Sequence, residues 1–188
     1  DQVSNNRTAK LEKDRLPIVE MDSMVAAEKN SCFFKIYQIS NGDKCSAALN
    51  FIQNWLKSPY FEELRTQQQL GYAVFALSRV YGGVRHFGFC IQSDVKSNHF
   101  CIDRTRVFVE EKLQELADLT PDKFEEIRSG VLANLREPNK TLSEKFHEDW
   151  EEIKSHQYKF SRRDWLATEV EKLTKEDVQV LYKETFFN

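Results

Sequence analysis

All segments with β-strand character lie in the first half of the chain, and this order limits the folds that the sequence can adopt. The runs at 32–39, 72–80 and 84–92 are rich in β-branched and aromatic residues. The last two runs are separated by a glycine-containing turn at 81–83 and predict a β-hairpin. From Ser97 onward, apolar residues recur at helical spacing. The sequence therefore predicts an α+β fold, with helices on one face of an antiparallel β-sheet.

Two helices are predicted between the first strand and the hairpin. The first carries apolar residues at helical spacing over 47–57. Ser58 and Pro59 are typical of an N-cap and a first helical position, so they predict the start of the second helix. We expect that helix to reach about Gln69 and to stop at Gly71. The later helices are predicted to start at five cap residues, namely Ser97, Thr120, Thr141, Ser161 and Thr174.

The domain organisation follows from the length and the distribution of polar residues. The chain has 188 residues, enough for one domain with a substantial core. Residues 1–30 are polar and are interpreted as a lead-in or linker, which leaves the α+β domain at 31–188. Three strands make a thin sheet, so a further strand is expected near Ile18 or beyond Asn188. The start at Asp1, without an initiator Met or an apolar leader, favours a cut point or a processed end over a signal peptide.

Charge and composition argue against several classes of function. The net charge of −3 argues against a chain that binds nucleic acid or an anionic membrane as a whole. No run of about eighteen apolar residues is present that could span a membrane. The cysteines at 32, 45, 90 and 101 include no C-x-x-C pair. We favour free thiols over two disulfides, and therefore a cytoplasmic protein.

The sequence offers only a weak candidate for a metal site. His147 and Glu151 share a helical face, but no second histidine completes a zinc motif. The more economical interpretation is an acidic, solvated helix face. Paired acidic residues on predicted helices, such as Glu151 and Glu152, are interpreted in the same way. The pair Arg162 and Arg163 is expected to mark a surface salt-bridge region.

A densely patterned segment runs over 62–74, where a predicted helix ends in a glycine turn and leads directly into a buried strand. Arg65 and Tyr72 flank this junction. The guanidinium of Arg65 offers a fork of N–H donors for oxygens, and Tyr72 adds a hydroxyl on a rigid ring. Both groups suit a site that holds a peptide backbone near a reacting carbonyl. The alternative is an Arg65 paired with a nearby glutamate and a Tyr72 half buried at a sheet edge.

The string Leu64-Arg65-Thr66-x-x-Gln69-Leu70-Gly71-Tyr72 resembles the signature of the last domain of insulin-degrading-enzyme-type metallopeptidases, the insulinase or pitrilysin family. Agreement in residue type and order extends over about residues 30–187. It includes three further segments, Ser58-Pro59-Tyr60-Phe61, Leu119-Thr120-Pro121-Asp122-Lys123-Phe124 and Trp150-Glu151-Glu152-Ile153.

The resemblance implies a clamshell enzyme of homologous α+β domains, whose N-terminal half holds zinc through an H-x-x-E-H motif. The C-terminal half binds no metal and closes over the peptide. By motif position, Arg65 would bind a substrate backbone carbonyl, and Tyr72 would assist catalysis by stabilising the tetrahedral oxyanion. The implied partners are the zinc-bearing N-terminal half of the same protein and peptide substrates. Self-association into a homodimer is a further candidate by analogy with family members.

This chain contains no H-x-x-E-H motif, so we expect it to bind no metal and to be inactive alone, with the zinc cofactor confined to the full-length enzyme. Family members usually continue past the position of Asn188 into a closing strand, which the domain is expected to lack. Two other functions stay open. The chain could belong to a non-catalytic peptide-binding or scaffold protein of the same fold, or to a generic helical adaptor in which Arg65 and Tyr72 are structural.

Overall fold

The computed structural model describes residues 18–39, 42–81, 84–155 and 157–187. Within these residues it confirms the predicted α+β class. The antiparallel sheet consists of β1 (Ser31–Ile39), β2 (Ala73–Tyr81) and β3 (Val84–Ser93), in the spatial order β1-β3-β2. The α-helices are α1 (Asp43–Phe61), α2 (Asn98–Asp118), α3 (Pro121–Arg136), α4 (Leu142–Lys154), α5 (Arg162–Glu171) and α6 (Lys175–Phe186).

The predicted turns at 40–43 and 81–83 fall partly outside the described residues, as does the polar lead-in over 1–17. Residues 18–30 are exposed and contain neither helix nor strand. The expected strand near Ile18 is therefore not found in the described residues 18–30, where the side chain of Ile18 is 81 % exposed, and positions 11–17 lie outside the described residues. No helix in the described part of the chain combines the length and the apolar character needed to cross a bilayer.

The two faces of the sheet differ because side chains alternate along each strand. Phe33, Ile91 and Val74 form one cross-strand row, and all three are buried against the helices. The neighbouring row, which contains Phe34 and Phe75, points the other way and is partly exposed. The helices therefore cover one face of the sheet, as predicted.

The core lies between this covered face and the helices. Tyr60 of α1 is fully buried, and its ring contacts those of Phe89 and Phe108 at centroid distances of 4.9 and 5.1 Å. Its hydroxyl lies 2.9 Å from that of Thr105, which itself donates to the carbonyl of Cys101. Tyr60 is therefore the donor in the first bond. This buried bond anchors the C-terminal turn of α1, and so fixes where the next segment begins.

The structure does not start a new helix at Ser58. Instead, α1 continues through Pro59 to Phe61, and Glu62–Gln67 then form a π-helix. Proline lacks the N–H that would bond the preceding turn, which weakens an isolated helix. Here the burial of Tyr60 against the sheet stabilises the turn that contains Pro59, so tertiary packing overrides the local signal for a new helix start.

The cap residues are mostly as predicted. Ser97, Thr120, Thr141 and Thr174 each accept a hydrogen bond from a main-chain N–H in the first turn of the helix that they precede. Ser161 precedes α5 but makes no such bond, so the prediction of a cap bond there is wrong. Its backbone, at φ −104° and ψ 28°, is not in the extended conformation that orients a capping side chain.

The acidic face of α4 is not uniformly solvated, contrary to the prediction. Glu152 is buried, and it accepts hydrogen bonds from the guanidinium of Arg162 and from the main-chain N–H of Lys159. Burial opposes ionisation of Glu152, but the bonds from Arg162 and Lys159 outweigh it, so the pKa of Glu152 lies below its ordinary value. Arg162 thus forms a buried ion pair. Arg163 donates to main-chain carbonyls at the end of α3 and also pairs with Glu148 at 3.6 Å, in line with the predicted salt-bridge region.

All four cysteines are free. Cys32 and Cys90 lie on the uncovered face of the sheet with their sulfur atoms 3.9 Å apart. Burial, together with the neighbouring Cys32, raises the pKa of Cys90 to about 12, so Cys90 is a protonated thiol at neutral pH.

Candidate functional site

The π-helix places Arg65 at the edge of the domain. Leu64 is fully buried in the core, whereas the side chain of Arg65, the next residue, is only partly buried. The guanidinium of Arg65 lies 5.0 Å from the ring centroid of Phe61, one turn earlier. A cation held over an aromatic face at this distance is attracted electrostatically, so Phe61 restricts the directions that Arg65 can take.

The connection from the π-helix to β2 is short and is held at both ends. Gln69 adopts a left-handed conformation with φ 51°, and Leu70 N–H donates to the carbonyl of Leu64 at 2.9 Å. Tyr72 N–H then donates to the carbonyl of Gln92 at 3.1 Å, which attaches the chain to β3.

Gly71 does not stop a helix, contrary to the prediction. The left-handed residue after the helix is Gln69, and Gly71 lies against the backbone of β3. A Cβ atom at position 71 would lie 1.9 Å from the carbonyl oxygen of Gln92. Only glycine therefore allows the backbone to approach β3 closely enough for the Tyr72 bond.

Arg65 and Tyr72 form a single unit on the surface. Arg65 Nε donates a 3.1 Å hydrogen bond to the carbonyl oxygen of Tyr72, and the guanidinium lies 5.8 Å from the Tyr72 ring centroid. Tyr72 is 81 % exposed. Among the described residues, neither the terminal nitrogens of Arg65 nor the Tyr72 hydroxyl has a hydrogen-bond partner, and no carboxylate pairs with Arg65. The alternative of an Arg–Glu pair beside a half-buried tyrosine is wrong.

A polar network lies beneath this unit. Arg104 of α2 donates through Nε to Oε1 of Gln68 at 2.8 Å, and the amide nitrogen of Gln68 donates to Glu63 at 3.2 Å. Burial and the nearby carboxylate of Glu111 raise the pKa of Glu63, against the opposing effect of Lys112 and Arg104. The network links the π-helix to α2 at the point where the chain leaves the helix.

A largely apolar, open groove of about 560 Å³ lies between the end of α1 and the start of β2, and Phe61, which contacts Arg65, is one of its lining residues. Its lining also includes Val74 and Phe75, and both Phe61 and Phe75 are partly exposed. Arg65 is therefore linked to a concave apolar surface through Phe61, and Tyr72 precedes the strand that contributes Val74 and Phe75 to that surface. Such a combination suits an extended peptide, whose backbone needs donors and whose side chains need apolar contact.

The described residues do not offer a zinc site. They contain no group of three or more His, Cys, Asp or Glu side chains arranged to hold a metal ion. In the weak candidate on α4, His147 Nδ1 lies 2.7 Å from the carbonyl of Ser143, and Glu151 pairs with Lys154. Both groups therefore have protein partners that compete with a metal.

Sequence reasoning singles out Arg65 and Tyr72, and the structure brings them together. It misses Phe61, although the spacing of four residues to Arg65 on a helix is an available signal. It also misses the contact between Gln68 and Arg104. These two residues are 36 positions apart, and no local pattern predicts that they meet.

Comparisons with known proteins establish the family of the chain. The model of the family described as PQQ synthase PqqF-like, C-terminal lobe domain 4, matches residues 51–150. A nardilysin-like protein of Arabidopsis thaliana is 30 % identical over 165 residues, which are 86 % of this chain and 16 % of that protein. Human insulin-degrading enzyme is 33 % identical over 158 residues, which are 82 % of this chain and 15 % of the enzyme.

The crystal structure of pitrilysin shares the fold with a TM-score of 0.72 and 23 % identity, over 85 % of this chain and 17 % of pitrilysin. The fold is thus that of one lobe domain of a pitrilysin-type peptidase. The chain belongs to the PqqF-like C-terminal lobe domains of the insulinase family of zinc metallopeptidases. It spans about one sixth of the length of the curated relatives that it matches.

Proposed function

We propose that this domain positions peptide substrates for a zinc-dependent endopeptidase and itself holds no metal. The observation that carries the proposal is the surface pair formed by Arg65 and Tyr72, whose terminal donors have no partners among the described residues. The guanidinium of Arg65 also contacts Phe61, which lines an apolar groove. The sequence string that contains both residues supports the same role by family resemblance.

The geometry favours different roles for the side chains of Arg65 and Tyr72. Arg65 Nε is occupied by the Tyr72 carbonyl, so its terminal nitrogens remain to donate to a substrate backbone carbonyl. The Tyr72 hydroxyl can donate to an oxygen that gains negative charge during hydrolysis. Because the guanidinium is fixed by a hydrogen bond and two aromatic rings, little of its freedom is lost on binding.

The zinc ion belongs, in this proposal, to the N-terminal half of the same protein, since the described residues of this domain do not fit it. That half is the first partner of the domain, and a peptide lies between the two. A homodimer is a further candidate partner. The free thiols support a reducing, cytoplasmic environment.

The test is hydrolysis of a quenched fluorescent peptide by the full-length protein, with and without a zinc chelator. Replacing Arg65 with Ala should lower kcat/KM by at least about tenfold, equivalent to about 1.4 kcal/mol. Arg79→Ala is the matched control, because Arg79 is an exposed arginine on the adjoining strand β2. An equal effect of the two substitutions would overturn the role of Arg65.

The same assay separates the alternative function. A full-length protein that binds the peptide but never cleaves it, even with added zinc, is a non-catalytic peptide-binding member of the fold. In that case Arg65→Ala should weaken peptide binding, which can be measured by fluorescence anisotropy.

A further inference from the structure

We propose that Arg104 is a positioning residue for the pair formed by Arg65 and Tyr72, on which it acts through Gln68. The inference rests on the proposed function, because it assigns Arg104 a part in the same site. Arg104 lies on α2, 32 residues beyond Tyr72 in the chain, and does not belong to the motif that contains the pair.

The contact between Arg104 and Gln68 is specific in its geometry. Arg104 Nε donates to Gln68 Oε1 at 2.8 Å, and Gln68 Nε2 donates to Glu63 Oε1 at 3.2 Å. The side-chain amide of Gln68 therefore uses its acceptor toward α2 and its donor toward the π-helix. A terminal nitrogen of Arg104 also lies 3.9 Å from Glu63, so its charge offsets that of the carboxylate.

Gln68 lies in the middle of the connection between Arg65 and Tyr72, and we refer to it as the pivot of this connection. It lies three residues after Arg65 and four before Tyr72. Its N–H donates to the carbonyl of Glu63 at 3.0 Å, which closes the last π-turn, and the next residue, Gln69, is left-handed. A backbone rotation at Gln68 would therefore change the separation of Arg65 and Tyr72.

Arg104 holds the side chain of Gln68 by a hydrogen bond from α2, outside the segment that runs from Arg65 to Tyr72. On the C-terminal side of Gln68, the main-chain bonds of Leu70 and Tyr72 hold the chain, and on its N-terminal side the buried Leu64 does so. Between these points, the amide of Gln68 is tied to α2 through Arg104. Without Arg104, the acceptor of Gln68 loses its partner, and the side chain of Gln68 keeps only its bond to Glu63 of the π-helix.

The experiment uses the full-length protein and hydrolysis of the same quenched fluorescent peptide. Arg104→Met keeps the length of the side chain but removes its donors, and should lower kcat/KM about tenfold, since small misplacements of catalytic groups are costly. Arg104→Lys keeps one donor and the charge, and should recover part of the loss. Arg106→Met is the matched control, because Arg106 lies on the same helix and pairs with the surface residues Asp103 and Glu110.

The energetic coupling between substitutions of Arg65 and Arg104 distinguishes a positioning role of Arg104 from a general structural role. In the background of Arg65→Ala, Arg104→Met should cause a clearly smaller loss of kcat/KM than in the native protein, because the part of its effect that passes through Arg65 is already gone. Full additivity of the two substitutions would overturn the inference. So would an equal loss of activity in Arg106→Met, or the absence of any recovery in Arg104→Lys.

Hydrogen exchange separates failure of this inference from failure of the proposed function. Arg104→Met should speed exchange of the main-chain amides over 68–72 and leave β3 unchanged. Unchanged exchange over 68–72 would overturn the positioning role whatever the activity. Faster exchange together with full activity of Arg65→Ala would instead overturn the proposed function, and with it the part of Arg104 in turnover.

Discussion

Arg65 Nε donates a hydrogen bond of 3.1 Å to the main-chain carbonyl of Tyr72, seven residues further along the chain. One end of the guanidinium therefore fixes the backbone of the other site residue, while the opposite end stays available to a ligand. A motion of the domain that brings Arg65 to a substrate must bring Tyr72 with it. The two groups would reach a peptide in a fixed relative orientation, which is the condition for preorganised binding.

Tyr72→Phe tests the hydroxyl separately from the ring. We expect kcat/KM of the full-length protein to fall by about tenfold to a hundredfold, because one donor to a developing oxyanion is lost. The midpoint of thermal unfolding should not change, since the side chain is exposed and its hydroxyl has no partner among the described residues. Tyr60→Phe is the opposite case, because it removes the buried bond to Thr105 and should cost about 1 kcal/mol of stability.

Phe61→Leu tests the contribution of the aromatic ring under Arg65. The ring lies 5.0 Å from the guanidinium and is partly exposed, so leucine keeps much of the apolar contact but loses the cation–π attraction. We expect a loss of about 0.5–1 kcal/mol in transition-state binding, or roughly two- to fivefold in kcat/KM. Phe61→Tyr should keep nearly full activity, and a loss as large as that of leucine would contradict the role of the ring.

Gly71→Ala tests the close approach of the connection to β3. A methyl group at this position would meet the Gln92 carbonyl oxygen at 1.9 Å, so one backbone must move. We expect the free energy of unfolding to fall by about 2 kcal/mol or more, measured by urea titration. Gly130→Ala is the control, since nothing lies within 4 Å of a Cβ in the middle of α3, and it should stabilise by about 0.5–1 kcal/mol.

Glu152→Gln tests the buried ion pair with Arg162 through its pH dependence. The pKa of Glu152 is lowered in the folded state, so the ion pair stabilises the fold above the ordinary glutamate value of 4.5. This contribution is lost as the pH falls through the lowered pKa. Glutamine should cost about 3 kcal/mol at pH 7, and the difference from the native chain should shrink below pH 4.5. A difference that is constant from pH 7 to pH 3 would rule out this origin.

Local signals explain why much of the fold could be predicted. The side chain of a cap such as Thr174 accepts a hydrogen bond from the N–H of Asp177, three residues later. Both partners lie within one helical turn, so a short stretch of sequence predicts the bond. The alternation of buried and exposed residues in the strands is equally local. The wrong predictions arise where a distant contact decides. Pro59 has the local pattern of a helix start. The helix nevertheless continues through it, because Tyr60 packs against Phe89, a contact that neighbouring residues do not predict.

The same distinction between local signals and distant contacts holds for the residues of the candidate site and for the buried charges. The string around Arg65 and Tyr72 singles out both residues, because family resemblance is carried by neighbouring positions. The buried state of Glu152 and the contact of Arg104 with Gln68 depend on residues 10 and 36 positions away. The roles assigned to Arg65 and Tyr72 in turnover stay predictions until the substitutions are measured.

The connection anchored at Leu64 and Tyr72 has a consequence for how such sequences can diverge. Its start is fixed by a side chain in the core, and its end is fixed by a bond to Gln92. An insertion or deletion of one residue between them would shift the register of β2 and turn its buried side chains toward solvent. Substitutions at exposed positions such as Thr66 and Gln67 leave both anchors intact. In related sequences that keep this fold, the residue types at such positions between the anchors can therefore change freely, but the number of residues between the anchors cannot change.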